Sequence, residues 1–559
     1  METNKQNFHV GIIGGGVAGS TVALRFAELG VKVTLFEKGS SLVNGPPICH
    51  LHAGGNLYRE ISESQCLTLL KECIDTLRVF PHTINYRPTM IAVPKYDDGD
   101  PMDILPRLIT LKEAYRNSIQ EDTRNQVLGD PDDYFKIYNH EDITKLQSLN
   151  DPADPTTFDE WMIPVSKRLE LDGLKFPILM VQEYGWSILR MSAAVTLALE
   201  KLPNCKIMTN TEVLDVQKQE SDNGWIVSCK QTDDSKEVEK VEAVSIDYLV
   251  NACGYKTGSI DNLVGVQEDR MVEFKAAYVS KWDGTNEDIN SSNWPEIIVH
   301  GVRGTPNGMM QLTPYPDNIF QLHGMTKDIT LFSDGLAKSS VNSSQPELGE
   351  KFETKIHQGW NEEETCSRTK RAINHASKFI PTFSSACVAG PPLFGAQQIP
   401  GKDPSLRAAS VSFPAERYAR VEIVKGSSAL AASDGILQNL KDSRLLDLGS
   451  KMLNSPREES FSTLLSIELD EVVERAETFA RHRNWPLGLA RPVGNMSDES
   501  RRYSNSGKYL TVFNDSMAQD INLNSIKTNP AISNIVQYLS TYIYNIPRIF
   551  IPLFLRSNA

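Results

Sequence analysis

The sequence lacks long apolar runs. No stretch of the 559 residues approaches the roughly 18 uninterrupted apolar residues that a membrane span requires. The first residues, METNKQNF, contain neither a basic region nor an apolar one, so we expect no secretory signal. Positive charge is also scarce, since the formal net charge is −14. An acidic chain repels phosphate, which argues against nucleic acid as a partner.

The eight cysteines are scattered, with no C-x-x-C pair and no histidine at metal-binding spacing. This pattern predicts reduced thiols, no metal site and a cytoplasmic location. Internal repeats and low-complexity tracts are absent as well. With 40% hydrophobic and 23% charged residues, the composition is typical of a soluble globular protein large enough for two or three domains.

The most informative stretch spans residues 8–37. Hydrophobic periodicity predicts a strand, a helix and a second strand within it. Gly14, Gly16 and Gly19 form G-x-G-x-x-G at the first turn, and Glu37 closes the segment. This combination is typical of a dinucleotide-binding βαβ unit.

Each glycine of the motif has a physical role. Gly14 permits the tight turn, Gly16 leaves room for a pyrophosphate, and Gly19 lets helix and strand approach closely. The helix N-terminus presents N–H groups and a positive dipole end to the phosphates. Glu37 can accept hydrogen bonds from both ribose hydroxyls and would repel a 2′-phosphate, which favours FAD or NAD over NADP. The predicted contacts in this unit are Gly14, Gly16, Val17, Ala18, Gly19, Glu37 and Lys38.

Four blocks follow one another over roughly residues 8–440. They are the N-terminal unit, HLHAGGNLYREIS at 50–62, YLVNACGYKTGSI at 248–260 and KGSSALAASDGI at 425–436. In this order they resemble the D-amino-acid oxidase-like FAD oxidoreductases, a superfamily that includes sarcosine oxidases, dimethylglycine dehydrogenase and, more distantly, malate:quinone oxidoreductase. The resemblance implies an FAD-dependent dehydrogenase or oxidase. A G-D-A-A-H-type segment and a second G-x-G-x-x-G are absent, which disfavours aromatic-ring hydroxylases and pyridine-nucleotide:disulfide reductases.

The fold class that follows is α/β. A Rossmann-like FAD-binding domain is expected to interleave with an α+β substrate domain built on an antiparallel sheet, for which residues 297–324 supply alternating strand and turn signals. A mostly helical extension is expected at the C-terminus. The predicted divisions are 1–95, 183–270 and 385–450 for the FAD-binding domain, 96–182 and 271–384 for the substrate domain, and 451–559 for the extension.

The block at 50–62 places His52, Ala53 and Gly54 where the dimethylglycine and sarcosine dehydrogenases carry the histidine that binds flavin covalently. One alanine of that motif is a glycine here. Covalent attachment, a non-covalent flavin-facing role and plain packing all stay open for His52, and His50 and Cys49 are competitors. The resemblance also implies flavin contacts at Ala53, Gly54, Val213, Ala252, Gly254, Gly426, Ser427, Ser428 and Ala429. Lys425 could assist them or be a solvated surface charge.

The inferred reaction is oxidation of a C–H bond next to an amine or hydroxyl of a small carboxylate-bearing substrate. Hydride would pass to flavin N5, and oxygen, a quinone or another acceptor would reoxidise the flavin. A substrate carboxylate favours the planar fork of arginine. Arg303 is the preferred candidate, with Arg59 and Arg407 as alternatives. His323 is predicted to be a general base and Tyr255 a wall or lid residue; packing roles are the alternative for both.

Two other functions stay open. The first is a flavin-dependent monooxygenase or biosynthetic tailoring enzyme that uses NAD(P)H. The second is a non-catalytic flavoprotein in which FAD is structural.

Residues 535–555 are aromatic and aliphatic but are interrupted by Pro547 and Pro552. They predict an arm docked on the protein itself, a peripheral membrane contact near a quinone pool, or an oligomer contact.

Overall fold

Two large β-sheets organise the part of the chain that the structure describes. The computed structural model describes residues 8–45, 51–57, 61–220, 224–233, 238–284, 289–446 and 457–494. Within these ranges, six strands form a mainly parallel sheet and ten form a mainly antiparallel one. A three-stranded sheet and a two-stranded ribbon account for the other strands.

The strands and helices alternate along the chain. The strands are β1 (His9–Ile13), β2 (Lys32–Phe36), β3 (Ile84–Asn85), β4 (Thr89–Pro94), β5 (Phe135–Tyr138), β6 (Leu174–Val181), β7 (Gly185–Trp186), β8 (Cys205–Met208), β9 (Thr211–Lys218), β10 (Trp225–Asp233), β11 (Val238–Ile246), β12 (Tyr248–Asn251), β13 (Arg270–Lys281), β14 (Glu296–Val299), β15 (Met310–Tyr315), β16 (Ile319–Gly324), β17 (Leu336–Lys338), β18 (Cys387–Val388), β19 (Leu393–Pro400), β20 (Val411–Ala415) and β21 (Tyr418–Val421). The helices are α1 (Val17–Glu28), α2 (Glu63–Val79), α3 (Leu105–Glu121), α4 (His140–Leu146), α5 (Phe158–Ser166), α6 (Ile188–Glu200), α7 (Thr257–Val264), α8 (Glu350–Gln358), α9 (Glu362–Ala376), α10 (Ser428–Asp442), α11 (Ser462–Leu465) and α12 (Leu469–His482).

The six-stranded sheet carries the glycine-rich turn. Its order is β20-β21-β12-β1-β2-β8, and all neighbours are parallel except β20 and β21. Every residue of the central strand β1 is buried, as expected for a strand covered on both faces. α1 connects β1 to β2 and packs against α6 and α10. This is the predicted βαβ unit, and the α/β fold class is confirmed.

The sequence pattern predicts a helix over residues 183–202, but α6 begins later, at Ile188. β7 pairs with β3 just before it, so the glycine-containing start of the segment forms a strand pair. Ser187 then caps the helix, since its Oγ accepts a hydrogen bond from the Arg190 N–H at 3.3 Å.

The ten-stranded sheet forms the second layer. Its main path is β17-β13-β16-β15-β14-β4-β6-β5, and β18 and β19 also pair with β13. Neighbouring strands are antiparallel except β14 and β4, which are parallel. One face is apolar: Tyr278 and Leu322 share a core with Trp161 of α5 and Ile373 of α9. The antiparallel sheet predicted around 297–324 is therefore present as β14, β15 and β16.

The domain boundaries predicted at residues 95 and 385 cut through this second sheet. β4 ends at Pro94, within the predicted range 1–95, yet it pairs with β6 and β14. β18 and β19 follow residue 385 and pair with β13. Sequence position does not reveal these strand partners, because they lie far apart along the chain.

The C-terminal extension is helical where the structure describes it. α12 packs against α6, through an apolar stripe that includes Val472, Ala476 and Ala480. Residues 495–559, including the segment 535–555 with its membrane, docking and oligomer alternatives, lie outside the described residues. Among the helices that are described, none combines the length and the apolar character needed to cross a bilayer.

Candidate functional site

The first turn is shaped by its three glycines. Gly14 has a φ of +98°, and a Cβ there would lie 2.5 Å from the Ala252 carbonyl oxygen. A Cβ at Gly19 would lie 1.8 Å from the Gly14 carbonyl oxygen, so the helix approaches the turn more closely than any side chain allows. A Cβ at Gly16 would meet nothing within 4 Å. Protein atoms therefore fill the space beside Gly14 and Gly19, whereas the space beside Gly16 is open.

The N-terminus of α1 starts at this opening. Gly16 is its N-cap, and no side chain caps the helix or places an acidic group in its first turn. Val17 is half-buried and Ala18 is buried. Backbone N–H groups at such an end attract anions, since they lack partners within the helix.

Glu37 extends from the end of β2 to the same turn. Its Oε2 accepts a hydrogen bond from the Gly15 N–H at 2.6 Å, and its Oε1 accepts from the Gly39 N–H at 2.6 Å. These contacts hold the carboxylate beside the glycine turn. Lys38 instead forms an exposed ion pair with Glu212 of β9, 2.8 Å from Nζ to Oε1. The structure thus keeps Glu37 at the turn and turns Lys38 towards the three-stranded sheet.

Three further predicted contacts lie around this turn or behind it. Ala252 follows β12, donates its N–H to the Ile13 carbonyl at 2.8 Å, and packs against both Gly14 and Gly19. Gly254 has a φ of +57° and open space at its Cβ position. Val213 lies on β9 and packs, half-buried, against the core between the parallel and three-stranded sheets.

The loop that contains His52 is held by hydrogen bonds. His52 Nδ1–H donates to Asn56 Oδ1 at 2.9 Å, and His52 Nε2 accepts from Lys425 Nζ at 2.7 Å. The buried carboxylate of Glu183 accepts from the N–H groups of Gly55 and Asn56. Lys425 is therefore brought to His52. Ala53 is buried, and Gly54 has a φ of +97° with the Cys66 carbonyl where a Cβ would lie. The alternatives His50, Cys49 and Arg59 lie outside the described residues.

The segment from Gly426 to Ala429 forms the start of α10. A Cβ at Gly426 would lie 2.2 Å from the ring of Trp186, so this segment packs directly on the β3–β7 ribbon. Ser427, Ser428 and Ala429 are buried, and no side chain caps the helix. The Ser428 hydroxyl donates to Glu72 Oε2 at 2.6 Å.

Glu72 gives the protein a pH dependence that can be measured. Burial raises the pKa of this carboxyl from 4.5 to about 7, so the folded protein binds its proton more tightly than the unfolded chain does. Its contribution to stability is complete below pH 4.5 and is lost as pH rises through about 7. The loss should reach about 3 kcal/mol.

Urea unfolding from pH 5 to pH 8 checks this expectation. Glu72→Gln should remove that part of the pH dependence, whereas Glu113→Gln, at an exposed carboxylate paired with Arg116, should retain it. Identical pH profiles for Glu72→Gln and the wild type would show that Glu72 does not titrate in this range.

The large sheet has a polar face opposite its apolar cores. Val279 pairs with Gln321, and side chains two residues apart share a face. Lys275 therefore lies on the same face as His323, while Phe274 and Tyr278 face the apolar cores. The residues of the polar face are Glu273, Lys275, Glu296, Gln311, Thr313, Gln321, His323 and Gln397.

The polar face meets the His52 loop through Gln397. The Gln397 Oε1 accepts from Lys275 Nζ at 2.7 Å, and its Nε2 donates to the Val424 carbonyl at 2.8 Å. Val424 precedes Lys425, the partner of His52. Two sequence blocks and the large sheet thus converge on one region.

Arg303 and His323 both lie at this polar face. Arg303 contacts Glu273 through Nη2. His323 Nε2 is buried without a hydrogen-bond partner among the described residues. Burial and the positive charges of Lys275 and Lys425 lower the pKa of His323 to about 3. The imidazole is therefore neutral at physiological pH, and a hydrogen-bonding role fits it better than the predicted general-base role, which favours a pKa near the working pH.

Tyr255 lies elsewhere. Its ring packs with Phe274 and Phe352 on the opposite face of β13, and Lys256 Nζ lies 5.1 Å from the ring centroid. Burial raises the pKa of its hydroxyl to about 12. The structure does not bring Tyr255 to His323 and Arg303, because it packs against the Phe274 face of β13, opposite the polar face.

Three residues of the site carry no motif in the sequence. Lys275 and Glu273 flank Phe274 within residues 271–279 of β13, which are otherwise apolar. This alternation of charge is the one signal that could have indicated them. Glu183 acts on the loop 51–57 from a position about 130 residues away, which no local pattern predicts. Among the described residues, no group of three or more His, Cys, Asp or Glu side chains could hold a metal ion.

Comparisons with known proteins give structural matches only. No family model matches the chain, and a search of curated proteins finds no significant match. Glycine oxidase from Geobacillus kaustophilus aligns with a TM-score of 0.47 at 13% identity, covering 79% of this chain and 98% of that one. L-α-glycerophosphate oxidase from Mycoplasma pneumoniae, described with FAD bound, gives 0.47 at 13% identity, with 78% and 94% covered. L-amino acid deaminase from Proteus vulgaris gives 0.48 at 13% identity, with 83% and 98% covered.

Proposed function

We propose that the chain is an FAD-dependent oxidoreductase that oxidises a small anionic substrate at a C–H bond next to an amine or hydroxyl. The observation that carries the proposal is the open position at Gly16, beside an uncapped helix N-terminus and the carboxylate of Glu37. A dinucleotide with a diphosphate and a free ribose needs these three features together.

The residues present fit FAD. Gly14, Gly16 and the N–H groups of Val17 and Ala18 would hold the diphosphate, because the helix end is free of side-chain caps. Glu37 would exchange its backbone partners for ribose hydroxyls. When bound, FAD supplies the acceptor for two electrons and a proton, chemistry that protein side chains lack.

The other side of the site is suited to an anionic substrate. Lys275 and Arg303 place positive charge on the polar face, and Lys425 adds more near His52. Neutral His323 can accept a hydrogen bond from a substrate hydroxyl or amine. The buried surroundings strengthen these contacts, since little water competes with them.

Anaerobic mixing tests the activity directly. Flavin absorbance near 450 nm is followed while the FAD-loaded protein is mixed with amino acids, N-methyl amino acids or hydroxy acids. Bleaching by one of these compounds without NAD(P)H is the expected result. Bleaching by NADPH alone would instead favour a monooxygenase, and no bleaching by any compound would favour a structural role for FAD.

Glu37→Ala should weaken FAD binding. Losing a charged hydrogen-bond acceptor costs about 1–3 kcal/mol, so the dissociation constant should rise by roughly 5- to 150-fold. Fluorescence titration of apoprotein with FAD measures it. Glu416→Ala, at an exposed pair with Lys218, is the control and should bind as the wild type does. If Glu37→Ala binds FAD as tightly as the wild type does, Glu37 does not contact the cofactor.

A further inference from the structure

Two cations on the polar face share one carboxylate. Glu273 contacts Arg303 through Oε1 and forms an ion pair with Lys275, 2.9 Å from Oε2 to Nζ. Lys275 also donates to Gln397 Oε1 at 2.7 Å. Glu273 is only 7% exposed and the Lys275 side chain 15%, whereas the Arg303 side chain is 31% exposed. The carboxylate is therefore largely shielded from bulk water, and charges interact more strongly where water is excluded.

This arrangement leaves donors for a ligand. A lysine ammonium carries three N–H donors and an arginine guanidinium carries five, more than the contacts above use. Arg303 Nε is buried without a partner among the described residues, and so is His323 Nε2 on the neighbouring strand. A bound anion would give the Arg303 donor the acceptor that it lacks.

The three charged side chains leave one net positive charge. Lys275 and Arg303 carry formal positive charges and Glu273 a formal negative one. Burial lowers the pKa of Lys275, and the charge of Glu273 opposes that lowering. Burial opposes ionisation of Glu273, but the charges of Lys275 and Arg303 outweigh it and lower its pKa, so the carboxylate is charged at neutral pH. Arg407 adds positive charge near Lys275, although its Nη1 donates to the carbonyls of Pro404 and Leu406.

We propose that Glu273 is a specificity-determining residue that restricts the site to substrates with a single anionic group. One carboxylate of a ligand neutralises the excess charge of Lys275 and Arg303. A second anionic group beside Glu273 would face that carboxylate, and buried like charges repel strongly. This inference rests on the proposed function, because it takes the polar face as the substrate side of the site.

Equilibrium dialysis under anaerobic conditions tests the proposal with two probes. Radiolabelled glycolate is a monoanion, and tartronate has the same core with a second carboxylate. The FAD-loaded wild type should bind glycolate more tightly than tartronate by about tenfold or more, the scale of a like-charge contact. Glu273→Gln keeps the size of the side chain and should tighten tartronate binding by about tenfold or more. Glu353→Gln, at a carboxylate paired with Lys256, should behave as the wild type.

Two results overturn the proposal: a wild type that binds tartronate as tightly as glycolate, or Glu273→Gln protein with an unchanged preference. If Glu273→Gln does not fold, Arg303→Gln is the second test. Its affinity for glycolate should fall by about tenfold or more, and an unchanged affinity contradicts the role given to this cluster.

The FAD content of each sample is measured by absorbance. Protein that never retains FAD counts against the proposed function, whereas FAD-loaded protein with the wrong anion preference counts against Glu273 alone.

Discussion

Gly19→Ala is expected to destabilise the six-stranded sheet and α1 severely, whereas Gly16→Ala should leave the protein folded. At Gly19 the new Cβ would lie 1.8 Å from the Gly14 carbonyl oxygen, a backbone atom that can move only if β1 and α1 separate. Overpacking of a rigid core costs about 1–3 kcal/mol, and a backbone obstacle places Gly19→Ala at or above the upper end of that range. At Gly16 the Cβ meets no protein atom, and its φ of −67° suits alanine.

The two substitutions separate packing from cofactor binding. Gly16→Ala should change stability by less than about 1 kcal/mol, since an alanine N-cap is only moderately unfavourable. It should nevertheless weaken FAD binding by about tenfold or more, because the methyl group enters the space at the helix N-terminus. Thermal unfolding of the apoproteins and FAD titration of whichever proteins fold provide both measurements. Equal stability of the two variants would contradict the packing role of Gly19. If Gly16→Ala binds FAD as tightly as the wild type, the diphosphate of FAD does not lie against Gly16.

Asp261→Ala should cost about 3–5 kcal/mol of stability, the usual result of removing one partner from a buried ion network. Asp261 lies on α7 and is fully buried. It contacts Arg270 Nη2 at the start of β13, and accepts from Arg420 Nη1 at 3.1 Å and from the Tyr418 hydroxyl at 2.6 Å, both on β21. The carboxylate therefore joins the two sheets, and its loss leaves two buried guanidinium groups with less compensating charge.

A surface pair provides the control for this prediction. Asp334 and Lys351 form an ion pair 2.6 Å long, with both side chains more than half exposed. Asp334→Ala should change stability by no more than about 1 kcal/mol. The urea concentrations at the midpoints of unfolding of Asp261→Ala and Asp334→Ala give the comparison. Similar midpoints would mean that the buried network contributes no more than an exposed pair.

The βαβ unit was predictable because its determinants are local. The turn glycines, the helix and the closing carboxylate of Glu37 lie within about 30 consecutive residues, and each has a physical role that fixes its position. β1, α1 and β2 therefore appear close to the positions that the sequence indicates. The start of α6 was missed, because the β3–β7 pairing that displaces it joins segments about 100 residues apart.

The polar face was not predictable, because its contacts join distant segments. Lys275 and Gln397 are 122 residues apart, and His52 and Lys425 are 373 apart. The sequence indicates Arg303 and His323 individually, but no local pattern in it places Glu273 beside Arg303. Tyr255, predicted as a wall or lid residue, packs on the Phe274 face of β13, because an aromatic residue after a glycine turn carries no information about which face of a distant strand it covers.

The most direct test of the central claim is titration of purified protein with FAD, followed by absorbance and flavin fluorescence. An FAD-binding fold predicts saturable binding of a single FAD per chain and a shifted flavin spectrum. Colourless protein that leaves the fluorescence of added FAD unchanged at every concentration would contradict it.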